Sequence, residues 1–182
     1  WNINKFTNSK YKDLKLNENP QPIIDQREYK ISPISINNNE TKSDKLVFFE
    51  NELDFQSFNI DSYKKIYCIL LSNEERQVEL GDKVLEYKKN LIKNQIQNSD
   101  LNIEFIKGNK FIELSKNEKD FDVIYPSVGE NMTFLKKVIK KNNLMINYLT
   151  REEDEYCWQF SNKGYFNFKS NIPKILSRFK IN

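Results

Sequence analysis

The residue types that could do chemistry are few. Cys68 and Cys157 are the two thiols, and the chain has no histidine. A Ser-His or Cys-His dyad therefore cannot form, nor can an imidazole metal ligand. Two lone cysteines make neither a zinc ribbon nor a disulfide framework. Cys68 sits in the most apolar run of the chain and reads as a core residue, not a nucleophile. Glu152-Glu153-Asp154-Glu155 could hold a hard cation, but four acids in a polar run read first as a solvated loop tip. Gly129-Glu130-Asn131 opens a helical pattern, where free amides could hold a phosphate. One glycine followed by a glutamate reads as turn and cap. No pair of carboxylates is placed for acid-base work. The sequence thus points away from an enzyme, and to no catalytic residue, metal or cofactor.

A set of lysine-bearing turns offers a different chemistry. Lys64 and Lys65 precede a strand-like run, Lys107, Asn109 and Lys110 surround Gly108, and Lys116 and Lys119 fall in the next polar stretch. Lysines on one rim of a sheet can follow a phosphate backbone without reading sequence, and Phe111 could stack on an unpaired base. These seven residues are the candidate RNA-binding set. Glu104, Glu113, Glu118 and Asp120 lie among them and dilute the field.

Composition tempers that reading. There is no alanine, and 25 Lys and 25 Asn stand against four Arg. Lys and Asn have A/T-rich codons, so codon pressure chose part of the lysine content. Net charge is +3 but uneven: residues 130–182 hold ten Lys/Arg against five Asp/Glu. A polyanion, if met, would be met there. The first residue is Trp and no signal-peptide shape follows, which suggests a longer precursor. No apolar run approaches the length of a membrane span.

The elements that must position these groups begin late. Residues 1–60 include Pro20, Pro22 and Pro33 and show no sustained period, so they read as an irregular extension. Within it, Leu46-Val47-Phe48-Phe49 is a strand or an anchor. Residues 61–182 form the regular domain. Ile66–Leu71 reads as a buried strand, and Gln77–Gln97 as a helix from its apolar spacing. Leu101–Ile106 alternates as a strand, and Gly108-Asn109 signals a turn. Phe111–Leu114 and Phe121–Tyr125 are further strand-like runs, followed by a helix over Glu130–Asn142. Leu144–Tyr148, Cys157–Phe160 and Gly164–Phe168 complete the pattern as strands. In the last, Phe166 and Phe168 would face the Met132/Leu135/Ile139 stripe. Clustered strands outnumber helices, which predicts an α+β fold: a mostly antiparallel sheet with two main helices on one face.

The order of pieces resembles the large-subunit ribosomal protein five family, over about residues 61–180. The pieces are Lys65-Ile66-Tyr67-Cys68-Ile69, Asp82-Lys83-Val84-Leu85, Asn102–Lys107, Gly129–Leu135, Phe160–Phe168 and Ile172-Pro173-Lys174-Ile175. The resemblance implies a structural constituent of the large ribosomal subunit, in the central protuberance of a mitochondrial ribosome in the matrix. It implies large-subunit rRNA, with 5S rRNA among its candidates, and neighbouring ribosomal proteins as partners, with no membrane and no small-molecule substrate. The Arg expected beside Gly129 is absent and the basic hairpin has lost most of its charge, which shifts the expected contacts from RNA toward protein. The alternative is a small α/β accessory or ligand-binding subunit of an organellar or viral complex without RNA contact.

Overall fold

The computed structural model describes residues 42–54, 57–99, 101–161 and 164–181. The strands are β1 (Lys45–Phe49), β2 (Lys65–Leu70), β3 (Ile103–Lys107), β4 (Asp120–Ile124) and β5 (Met145–Leu149). The helices are α1 (Asp82–Gln97), α2 (Gly108–Asn117), α3 (Glu130–Asn142), α4 (Glu152–Trp158) and α5 (Tyr165–Phe179), with a 3-10 turn at Ile60–Ser62 between β1 and β2. The strands form one sheet in the order β3-β2-β1-β4-β5, and every neighbouring pair is parallel. Among the described residues no helix is long and apolar enough to cross a membrane.

This α/β architecture corrects the antiparallel α+β expectation. Parallel neighbours cannot be joined by tight turns and need crossovers, which place helices over the sheet. Side-chain alternation along β1 divides the core in two. Leu46 and Phe48 pack with Ile66, Cys68 and Ile92 of α1 on one face. Val47 and Phe49 pack with Tyr67, Ile69, Phe111 of α2 and Leu135 of α3 on the other. A strand covered on both faces is apolar at every position, as β1 and β2 are.

Three expected strands are helical, each for a local reason. Phe111-Ile112-Glu113-Leu114 is four residues long, too short for its period to be read. In α2 Phe111 and Ser115 share the buried face one turn apart. Gly108-Asn109, expected as a hairpin turn, opens that helix. Cys157–Phe160 belongs to α4 and the residues just after it, and the acidic run before it is that helix's first turn. Gly164–Phe168 caps and begins α5, where Phe166 is 82% exposed. The Phe166/Phe168 strand face toward Met132 therefore does not exist.

Other expectations meet their elements. Helix α3 has the predicted bounds, and its glycine cap Gly129 adopts φ +127°, a conformation side chains rarely take. Helix α1 starts later than Gln77 because Asn73 pins the preceding loop: its Nδ2 donates to the Leu80 carbonyl at 2.9 Å and its Oδ1 accepts from the Leu80 amide at 2.9 Å. Leu46–Phe49 is a strand, and the central one, although it falls inside the segment 1–60 expected to be an irregular extension. Residues 1–41 of that segment lie outside the described residues.

At the N-terminal edge of the sheet the fully buried carboxylate of Asp122 ties the strands together. It accepts from the Lys42 amide (2.9 Å), the Tyr63 hydroxyl (2.8 Å) and Asn147 Nδ2 (3.0 Å). Three donors around one buried acid satisfy most of its lone pairs, which is what makes the burial tolerable. This two-layered core makes one prediction. Leu135→Ala should destabilise by about 2–5 kcal/mol, as for a fully buried leucine, while Phe166→Ala should stay within about 0.5 kcal/mol. Urea denaturation measures both, and equal effects would show that α5 is packed differently.

Candidate functional site

In a parallel sheet of this order, the chain leaves β1 and β4 in opposite directions, and ligands of such folds bind outside the carboxyl ends of the strands at that point. Here the crevice holds about 230 Å³ and is lined by residues from four places: Glu50 and Asn51 after β1, Arg76 and Lys88 from the β2–α1 side, Pro126 and Val128 after β4, and Glu130 and Asn131 of α3. It lies below the roughly 300–1,000 Å³ of ordinary small-molecule sites.

Glu50 is the centre of the crevice. Its side chain is 2% exposed, and Oε1 accepts from Arg76 Nη2 at 2.8 Å and Lys88 Nζ at 3.3 Å. Oε2 accepts from Asn131 Nδ2 at 3.1 Å, and the same amide nitrogen donates to Asn51 Oδ1 at 2.8 Å. Asn51 Nδ2 in turn donates to the Pro126 carbonyl at 3.1 Å, joining the ends of β1 and β4. Arg76 is held from behind, its Nε donating to the Leu71 carbonyl at 3.2 Å. A carboxylate only accepts, so the Asn131 amide must turn its nitrogen toward Glu50. That leaves Asn131 Oδ1 buried without a hydrogen-bond partner among the described residues. It can take one N–H or O–H donor.

Two acids of the chain take backbone amides on this edge, at the start of α2 and in the loop before α1. Glu75 Oε1 accepts from the Asn109 amide at the start of α2 (2.8 Å), and its Oε2 from the Ser72 amide (2.6 Å) and hydroxyl (2.5 Å). Gly108 allows this approach, since a Cβ there would lie 3.0 Å from both the Glu75 and Leu71 side chains. Glu130, in the first turn of α3, accepts from the amides of Gln77 (3.1 Å) and Val78 (3.2 Å). The connection after β1 reads Glu50-Asn51-Glu52-Leu53-Asp54 and contains none of the glycines that let a backbone approach a pyrophosphate. The amides of Ser72, Gln77, Val78 and Asn109 are thus consumed internally, while α1 and α3 begin without a side-chain cap.

The lysine set expected to bind RNA is split between the two edges. Lys64 and Lys65 stand at the N-terminal edge, where Lys64 pairs with Asp44 (3.3 Å) and Lys65 with Glu118 (2.8 Å). The Glu118 contact holds the Lys65 ammonium above its ordinary pKa, and contacts with Lys45 and Lys64 hold Asp44 below the usual carboxylate range. Lys110 of α2 joins Lys64 and Lys65 in a cleft of about 690 Å³ that also holds Glu104. Lys116 is exposed in the last turn of α2. Lys107 and Asn109 lie at the opposite edge, Lys107 exposed and the Asn109 amide engaged by Glu75. Lys119 is structural: its ammonium donates to the carbonyls of Ser115 and Asn142, both at 2.9 Å, and so ties the ends of α2 and α3. The acidic run is equally occupied. Glu152 pairs with Arg178, Asp154 with Arg151, and Glu155 accepts from the Thr150 hydroxyl. No cluster of three or more potential metal ligands occurs among the described residues.

Sequence reading missed Glu50, Arg76, Lys88 and Asn131 as a group. One signal was available: with only four arginines in a lysine-rich chain, each arginine marks a place where a lysine does not serve. No family model, curated protein or solved structure matches this chain.

The buried network predicts a strong stability effect. Glu50→Ala leaves Arg76 and Lys88 without their carboxylate and should cost about 3–5 kcal/mol, as for breaking a buried pair. A loss under 1 kcal/mol in chemical denaturation would show the network to be incidental. The thiols give a second test. Cys68 is fully buried, and burial, with the Glu50 charge next in size, pushes its pKa far up. Burial, then Asp154 and Glu153, also raise Cys157, which is half-buried. A raised thiol pKa leaves less thiolate at any given pH. Iodoacetamide at pH 8 should modify Cys157 slowly and Cys68 only as the protein unfolds. Early labelling of Cys68 would refute this.

Proposed function

We propose that this chain is a non-catalytic, architectural α/β subunit of a larger assembly. One observation carries the reading: the crevice at the switch point is filled by the buried carboxylate of Glu50 with its Arg76, Lys88 and Asn131 partners, and Glu75 and Glu130 take backbone amides beside it. A crevice spent on internal ion pairs and caps stabilises the domain and leaves little to bind a phosphorylated cofactor.

The assembly implied by the sequence resemblance is the large subunit of a mitochondrial ribosome, with rRNA and neighbouring ribosomal proteins as partners. Support on this chain is electrostatic: the basic last third. One piece quoted for the resemblance, the closing hairpin around Gly164, is a helix start, and Gly108-Asn109, expected as a turn, opens α2. The reading therefore rests on charge and on the remaining pieces. A ligand-binding accessory subunit without RNA contact is favoured by one specific feature, the open acceptor Asn131 Oδ1 in the crevice.

Sedimentation and thermal unfolding separate these readings. The protein should travel with large ribosomal subunits after a high-salt wash, and millimolar NAD, ATP or GTP should leave its melting midpoint unmoved. Occupancy at a hundredfold above Kd would add about 2.7 kcal/mol and several degrees. Such a shift overturns the architectural reading. Recovery only in the low-density fractions overturns the ribosomal one.

A further inference from the structure

The last 27 residues, from Tyr156 on, hold five Lys/Arg and no acid, in a chain where one residue in seven is Asp or Glu. Codon pressure explains surplus lysine but not the disappearance of acids. Helix α5 carries most of this segment. Its inner stripe, Phe168, Ile172, Ile175 and Phe179, is buried or half-buried, and Phe179 meets Tyr156 of α4 at 5.6 Å between ring centroids. Its outer face keeps two rings in solvent: Tyr165 is 66% and Phe166 82% exposed, edge to face at 5.6 Å. Leu176, three turns further along, is 39% exposed.

The cations of this segment differ in how they are used. Arg178 is committed inward, to Glu152 at 2.9 Å and over the Tyr156 ring at 4.5 Å. Lys174 lies 5.5 Å from the Phe160 ring. Lys169, Lys174 and Lys180 have no acidic partner among the described residues and are exposed. This contrasts with Lys64 and Lys65, both of which meet carboxylates. Helix α3 is basic too, through Lys136, Lys137, Lys140 and Lys141, but it interleaves no exposed ring with its lysines.

Unopposed cations on the same helix as free aromatic rings suit a polyanion whose π-faces are accessible. That describes a single strand, in which bases are unstacked enough to lie on a ring. A duplex hides its bases and would use the lysines alone. A membrane would want the helix's continuous apolar stripe, and here that stripe is turned into the protein. We infer that the outer face of α5 is a docking surface for single-stranded RNA, held by Lys169, Lys174 and Lys180 and stacked on Tyr165 and Phe166. The inference deepens the ribonucleoprotein reading above and rests on it, while moving the contact away from the lysines around Gly108.

Fluorescence anisotropy of the full chain with a labelled 15-nucleotide oligouridine tests it. Binding should weaken with salt at a log-log slope of about -2, near -0.7 for each of three phosphates on a single strand. Phe166→Ala should weaken binding about 5- to 150-fold, the range for losing one stacked base, and Phe166→Trp should keep it. Lys169→Glu with Lys180→Glu should abolish it, whereas Lys65→Ala with Lys110→Ala should leave it within about twofold. These variants change exposed residues, and unchanged melting midpoints verify their folding. Indifference to the α5 variants overturns the proposal, as does equal affinity for a 15-base-pair RNA duplex. Binding to phosphatidylserine vesicles but not to oligouridine would overturn it in favour of a lipid surface. If the α5 variants still travel with large ribosomal subunits while wild type ignores oligouridine, this surface assignment fails and the architectural reading stands.

Discussion

Strand β1 can be stable only between two helical layers. Leu46, Val47, Phe48 and Phe49 are all fully buried, and successive side chains of a strand point to opposite faces. Both faces of the sheet must therefore be covered. Coverage on two faces requires crossover connections, and crossovers make the strands parallel. With all strands parallel, every carboxyl end comes to one edge, along with the N-termini of α2 and α3. The crowd of charged residues at that edge follows from the central strand's apolarity, several steps removed. Glu50 is the residue that continues β1 into it, and its pairing with Arg76, Lys88 and Asn131 closes the edge at the same point where the topology opens it.

That chain of consequences bears on how a lysine becomes functional. A cation at a helix C-terminus finds carbonyls to bond, as Lys119 does with Ser115 and Asn142. A cation near a strand start in this chain finds an acid, as Lys64 and Lys65 do. Surface ion pairs of this kind contribute little to stability, yet they cancel the field that a polyanion would sense. Where the sequence has dropped its acids altogether, after Glu155, positive charge remains uncancelled over a whole segment. Local net charge along the sequence is therefore a better guide to an electrostatic surface here than lysine count.

Legibility in the sequence followed element length and burial. Helix α3 was readable to the residue because thirteen positions repeat an apolar stripe against a lysine face and begin at a glycine. The runs Ile66–Leu71 and Leu46–Phe49 were readable as strands. Their unbroken apolarity already indicated cover on both faces and hence a parallel sheet, but the clustering of short strand-like runs outweighed it. Those runs were the error. Phe111–Leu114, Cys157–Phe160 and Gly164–Phe168 each span four or five residues, a length at which a helical face and an alternating strand contain the same apolar residues. Tertiary context decided them. The chain had to cross from β3 to β4 over the face that Val47 and Phe49 present, and α2 supplies Phe111 to that face. The crevice was illegible for another reason: Glu50, Arg76, Lys88 and Asn131 are far apart in sequence, and only the strand order brings them together.

The arginines show what could still have been read. Where codon pressure favours lysine, an arginine persists when its planar fork or its weak hydration is needed. Arg76 is buried, bonding a carboxylate and a carbonyl at once. Arg151 reaches Glu52 at 2.9 Å and Asp154 at 3.1 Å, with the Phe58 ring 5.4 Å away. Arg178 bonds Glu152 and lies over Tyr156. A lysine lacks the planar fork of donors in fixed directions that these sites use. These three arginines fasten the β2–α1 loop, the start of α4 and the end of α5. In a chain this rich in lysine, the scarce cation is kept for fastening, while most of the abundant one, Lys88 and Lys119 apart, is left for solvent or for a partner.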